Sequence, residues 1–125
     1  MIFGKREIRV ENLMITVEVA LTPAQITQGL KYRRKLPESQ GMIFIFSQPT
    51  VVGFWMKDTL IPLSIAFIDR EGRIIDILDM EPDDGKISHL PSGPYLYALE
   101  MNRGWFERNN IRVGDRVDLG QGGNR

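Results

Sequence analysis

Gly53-Phe54-Trp55-Met56-Lys57-Asp58-Thr59-Leu60-Ile61-Pro62-Leu63-Ser64-Ile65-Ala66-Phe67-Ile68-Asp69 is the stretch on which a reading of this chain turns. Successive side chains of an extended strand point to opposite faces. Val52, Phe54 and Met56 then make one apolar parity, and Val51, Gly53, Trp55 and Lys57 make the other. That second face sets an indole beside an ammonium. Asp58-Thr59 suits a turn closed by its own side chains, and Pro62 biases Ile61 towards extended backbone before the apolar run that begins at Leu63. The stretch predicts two buried strands joined by a rigid corner.

Outward from this block the alternation continues. Leu13, Ile15, Val17 and Val19 alternate with Met14, Thr16, Glu18 and Ala20, the period of a half-buried strand. Thr22-Pro23-Ala24-Gln25 reads as a helix start, with a capping hydroxyl, Pro in the first turn and Gln at the capping-box position. The helix is expected to end near Tyr32 to Arg34. A polar loop over residues 37–41 leads to a strand from Met42 to Phe46, and Ser47-Gln48-Pro49 reads as a turn. Beyond the central block, Leu63–Asp69 and Arg73–Met80 flank Arg70-Glu71-Gly72, whose Gly supplies the positive φ of a bulged antiparallel hairpin. Residues 81–93 form a long polar connection, followed by a strand from Tyr95 to Glu100, a short helix over Gly104–Arg108 and a last strand from Arg116 to Leu119.

The expected fold is mainly β (α+β): a small, mostly antiparallel β-barrel or sandwich of six to eight strands with two short helices. The shortage of crossover helices excludes parallel βαβ topology. Residues 1–125 read as a single domain with a core over about 13–119, and 120–125 as a disordered tail with nothing to bury.

These residues also carry a family likeness. Gly29-Leu30, Arg33, Leu36, Gly41-Met42-Ile43-Phe44 and the block Phe54 to Leu63, with Phe67, Asp69, Gly72, Leu99-Glu100 and Gly114-Asp115, closely resemble the DUF192 family of uncharacterised bacterial and archaeal proteins. The resemblance covers the chain from about Met14 to Leu119 and implies a small β fold with helical insertions and no established activity. Asp58 departs from the family pattern, in which Asn is common. Relatives of this kind often carry an export signal ahead of the domain.

Composition narrows the function classes. The 125 residues are 42% hydrophobic and their formal charge is zero. One core and a monomer or weak dimer are expected, and no basic stripe is dense enough to neutralise a run of phosphates, so nucleic acid is not an expected partner. The apolar runs fall short of the ~20 residues that span a bilayer, and Met1-Ile2-Phe3-Gly4-Lys5-Arg6 lacks the apolar core of a signal peptide, which reads as cytoplasmic. With no cysteine and one histidine, thiol chemistry is excluded, and neither a metal nor another cofactor is expected. The acidic run Asp76, Asp79, Glu81, Asp83, Asp84 fails the spacing of a calcium loop.

The candidate site is therefore the Trp55 and Lys57 face, extended by Asp58, Thr59, Glu100 and Arg33 or Arg34. In one reading Trp55 plugs a barrel end and Lys57 lays its methylenes over the indole with its ammonium in water, or is buried as the partner of Glu100. In the other, Gly53 leaves a gap beside the indole, and the chain is a non-catalytic module binding a small molecule or a protein. The alternative from a different class is a small enzyme in which Lys57, Asp58 and Glu100 form an acid–base cluster. No nucleophile and base stand at a recognisable spacing, so no catalytic residue is assigned.

Overall fold

In the computed structural model, which describes residues 1–83, 85 and 87–120, the chain order is β1 (Gly4–Val10), β2 (Leu13–Ala20), α1 (Pro23–Gln28), β3 (Gln40–Thr50), β4 (Leu63–Ile68), β5 (Ile74–Met80), β6 (Tyr95–Asn102), α2 (Trp105–Arg108) and β7 (Val117–Asp118). The strands form one mixed sheet in the order β5-β4-β6-β3-β2-β1-β7, curled into a half-barrel. An antiparallel bridge between Arg73 and Arg116 joins its two edges at one end. The mainly β architecture with two short helices is as the sequence predicts. Residues 121–125, where most of the expected disordered tail falls, lie outside the described residues.

Four local details depart from expectation, each for a physical reason. First, β1 precedes the expected core: Ile8 and Val10 are buried against β2, and left-handed Glu11 (φ 51°) turns the hairpin. Charges at Lys5, Arg6, Glu7 and Arg9 hide the alternation. Second, β2 and β3 are parallel, with Thr16 opposite Gln40 and Ala20 opposite Phe44, so one βαβ crossover does exist. Its helix is shorter than expected. The capping box of Thr22 and Gln25 forms as predicted, but Gly29 at φ 51° ends α1 at Gln28, and an irregular segment finishes the crossover.

Third, Ser47-Gln48-Pro49 belongs to β3 rather than to a turn. The pairing with β2 stops at Phe44 and the register to β6 shifts between Ile45 and Thr50, so Pro49 lies where its missing N–H removes no ladder bond. Fourth, residues 51–57 are not a strand. The flanks of β6 are occupied by β3 and β4, which leaves this segment to cross the sheet face, held by a single antiparallel bridge. In that bridge Phe54 N–H donates to His89 O at 3.0 Å and His89 N–H donates to Phe54 O at 2.7 Å.

The β4–β5 hairpin forms as expected, with Gly72 at φ 90° and a bulge between Phe67 and Ile68. Every residue of β4 is buried because both sheet faces are covered. Ile43, Ala66, Ile68, Leu99 and Met101 pack on one face beneath α2 and β7. Met42, Phe44, Leu63, Ile65, Phe67 and Ala98 pack on the other, where Leu30, Met56 and Ile61 cover them. This second face carries the candidate site.

Gly53 has a different role from the gap expected of it. A Cβ there would stand 2.3 Å from Ser88 Oγ and 2.7 Å from Leu90 Cδ2, so the glycine admits the 88–90 segment against residues 53 and 54. Gly53→Ala is expected to cost about 1 to 2 kcal/mol and to speed amide exchange at Phe54 and His89, because both side chains must move aside. Unchanged protection at those two amides would count against this packing.

Candidate functional site

A cavity of about 340 Å³ opens on the second sheet face between the end of α1 and the 52–59 segment. Its walls mix polar and apolar groups, with the rings of Phe44 and Phe46 from β3 and of Phe54 and Trp55 from the crossing segment, while Gly29, Leu30 and Lys31 border it from the α1 side. The rings form an edge-to-face cluster: Phe54 lies 5.0 Å from Phe44, 6.4 Å from Phe46 and 6.0 Å from Phe67 by centroid. Tyr95 adds to it, and its hydroxyl donates to Val52 O at 2.7 Å, tying the segment down. Burial raises the Tyr95 phenol above its ordinary pKa, so this donor stays protonated.

Glu100 is the exceptional residue of this cavity. On β6 it sits between Met42 of β3 and Ile65 of β4, both buried, and it is itself only 5% exposed. No described residue donates a hydrogen bond to its carboxylate or pairs with it. Burial alone pushes its pKa up to about 8, so the carboxyl is mostly protonated at neutral pH. A buried acid without a partner destabilises the fold, and such groups concentrate at sites where a ligand or reaction uses them.

Of the residues singled out in the sequence, Trp55, Thr59 and Glu100 line the cavity together. Trp55 is half exposed at its edge rather than plugging a barrel. Thr59 is buried and its hydroxyl reaches Lys57 O at 3.5 Å. Lys57, Asp58 and Arg33 are not in the lining. Lys57 is exposed, with Nζ 5.8 Å from the centre of the Trp55 ring, and does not pair with Glu100. The strand parity that would have aimed it inward is absent. Asp58 adopts φ 61°, a left-handed geometry that Asn and Asp tolerate best, and it accepts the Tyr32 hydroxyl at 3.2 Å. The backbone demand at this position is one that either residue meets. Arg33 is bound in a bidentate pair with Glu18, at 2.5 and 2.9 Å, which holds its guanidinium pKa up. With Lys57 and Asp58 elsewhere, the acid–base cluster of the enzymatic alternative is not assembled.

Because the Lys57 ammonium is exposed and lies over a half-exposed indole, Lys57→Met is expected to change stability by less than about 0.5 kcal/mol. A larger loss in chemical denaturation would contradict this placement. The acidic run is likewise dispersed: Asp79 accepts Ser64 Oγ at 2.7 Å, Asp83 accepts Asp58 N–H at 3.1 Å, and Glu81 pairs with Arg103. Asp84 lies outside the described residues, and among those described no three acids or histidines gather as a metal site.

Sequence reasoning missed the phenyl walls at Phe44 and Phe46 and the α1 border. A possible signal was Gly29, a helix stop that leaves backbone close to a ring: its Cβ position is 3.5 Å from Phe44. Among the described residues no helix is long and apolar enough to cross a membrane.

Comparisons with known proteins agree with this architecture. No curated protein matches the chain. Among solved structures, a Sinorhizobium meliloti 1021 protein provisionally described as a transcription regulator is 33% identical, with a TM-score of 0.90 over 94% of this chain and 95% of that one. A Novosphingobium aromaticivorans DSM 12444 protein of unknown function is also 33% identical, with a TM-score of 0.85 over 91% of this chain and 84% of that one. The family model DUF192, described as an uncharacterized ACR, matches residues 6–119, nearly the full length, and the chain belongs to that family.

Proposed function

We propose that this protein is a small-ligand-binding module whose ligand enters the cavity between the end of α1 and the 52–59 segment. The observation that carries the reading is Glu100, a carboxyl 5% exposed, without a partner among the described residues, at a cavity lined in part by aromatic rings. A cavity of about 340 Å³ falls in the range of small-molecule sites, and a few polar groups among apolar walls, Glu100 with Thr59 and Lys31, fix ligand orientation. Trp55 at the rim offers a flat, half-exposed surface on which a ring can lie. The transcription-regulator description of the Sinorhizobium relative suits a ligand-sensing role, with the response passed to another protein. The zero formal charge of this chain makes direct DNA contact a poor second reading.

A thermal-shift screen of small molecules, followed by Trp55 fluorescence, tests the reading. A ligand at 100 times its Kd adds about 2.7 kcal/mol of stability, and its occupancy of the cavity edge should alter Trp55 emission. Trp105 is buried under the other sheet face and serves as the internal reference, read alone in the Trp55→Phe variant. If stabilising compounds change the Trp105 signal and leave Trp55 silent, the cavity is not the site.

A further inference from the structure

The ligand class can be argued one step further, on the basis of the ligand-binding reading above. We propose that the cavity takes an organic cation, an alkylated or primary ammonium on an apolar or aromatic body, with Glu100 as counter-ion and the surrounding phenyl and indole rings as its cage. Three observations converge on this class. Among the described residues none donates to the Glu100 carboxyl, so its acceptor sites are left for something that enters the cavity. The lining rings Phe44, Phe46, Phe54 and Trp55 are of the residue types whose π-systems attract ammonium groups. Finally, Trp55 already holds one ammonium of this chain, since Lys57 Nζ stands 5.8 Å from its ring centre, so a ring at the cavity edge is placed to receive cations.

The charged groups facing Glu100 are few. Its strand neighbours Met42 and Ile65 are apolar, Glu18 stands beyond Met42 in the same row and is neutralised by Arg33, the crossing segment contributes Trp55 and Thr59, and among the lining residues of the α1 side only Lys31 carries a charge. An anion would meet the acid at the cavity floor, with Lys31 at the border and exposed Lys57 on the Trp55 ring for attraction. A cation meets one carboxylate, with Lys31 and Lys57 as opponents at the rim. Binding transfers the Glu100 proton to solvent as the ammonium takes its place, so atoms and charge balance with one proton released per ligand.

The test uses the intact protein and benzyltrimethylammonium, whose charge does not titrate, together with its neutral carbon isostere neopentylbenzene and the anion phenylacetate. Calorimetric titrations are run in two buffers of different ionisation enthalpy, with chemical-shift mapping at Phe54 and Glu100. The cation is expected to bind at least tenfold more tightly than the isostere. With a Glu100 pKa of about 8, its affinity should rise about 50-fold from pH 6 to pH 8, with a proton released at the lower pH. Glu100→Gln should abolish both the preference and the pH dependence, while Lys31→Gln should strengthen cation binding severalfold. Equal binding of the neutral probe, preference for the anion, or an affinity that falls as pH rises would overturn the cation assignment while leaving a ligand site in place. If none of the three probes perturbs the cavity residues at millimolar concentration, the cation assignment fails, and failure of the broader screen as well would remove the binding reading itself.

Discussion

Glu100→Gln is expected to stabilise the fold, and the gain should grow with pH. The carboxyl has a folded pKa of about 8 against an ordinary value of 4.5, so between these limits the native state binds more protons than the unfolded chain. Stability then falls as pH rises, by about 1.4 kcal/mol per pH unit, because ν_U − ν_N is negative throughout that window. The contribution is fully present below the unfolded pKa and is lost as pH climbs through the folded one. At pH 7 the wild type carries a penalty of up to roughly 3 kcal/mol, approaching 5 kcal/mol above pH 8. Glutamine is nearly isosteric with the protonated acid and does not titrate, so it removes the penalty without changing the packing between Met42 and Ile65. Urea denaturation of both proteins at pH 5, 7 and 8.5 measures the effect. Parallel pH profiles would mean that Glu100 is solvated. A stabilising substitution at a cavity residue is the signature of a position kept for use at the expense of stability.

Much of the fold was legible because its signals are local. The β4–β5 hairpin is marked by apolar runs around a Gly that does adopt φ 90°, and the α1 start by Thr22, Pro23 and Gln25, which form the capping box. The errors share a cause in tertiary placement. Residues 51–57 alternate like a strand, yet no sheet edge is free beside β6, so Phe54 and Met56 turn to the core while Val52 stays exposed. Parity is a property of the strand that the segment never becomes. The expected link from Lys57 to Glu100 rested on that parity and disappears with it. Glu100 itself was reachable from sequence, as an acid alternating within an apolar strand, but its isolation was not. Absence of a partner is a fact about every neighbouring strand at once. The cavity walls are drawn from β3, α1 and the crossing segment, whose proximity depends on the parallel β2–β3 pairing that local patterns did not reveal.

Phe54→Ala tests whether the crossing segment, the aromatic cluster and Glu100 act as one unit. The ring contacts Phe44, Phe46, Phe67 and Tyr95, at centroid distances of 5.0 to 6.5 Å, so its loss removes buried area and four edge or tilted contacts together. One side of the ring borders the cavity, which sets the expected cost at about 3 kcal/mol, the lower end for deleting a phenyl group. The backbone bridge to His89 does not depend on the side chain, so the sheet should survive and the loss should be read as a shifted denaturation midpoint with little change in slope. The sharper consequence concerns coupling. Removing the ring widens the cavity and admits water to Glu100, and a hydrated carboxyl titrates closer to its ordinary value. Stabilisation by Glu100→Gln should therefore shrink to below about 1 kcal/mol in the Phe54→Ala background, a non-additivity of roughly 2 kcal/mol in the double-mutant cycle at pH 7. Strict additivity would show that Phe54 does not shield Glu100. In that case the desolvation belongs to the flanking strands β3 and β4 alone, and the aromatic wall is independent of the acid.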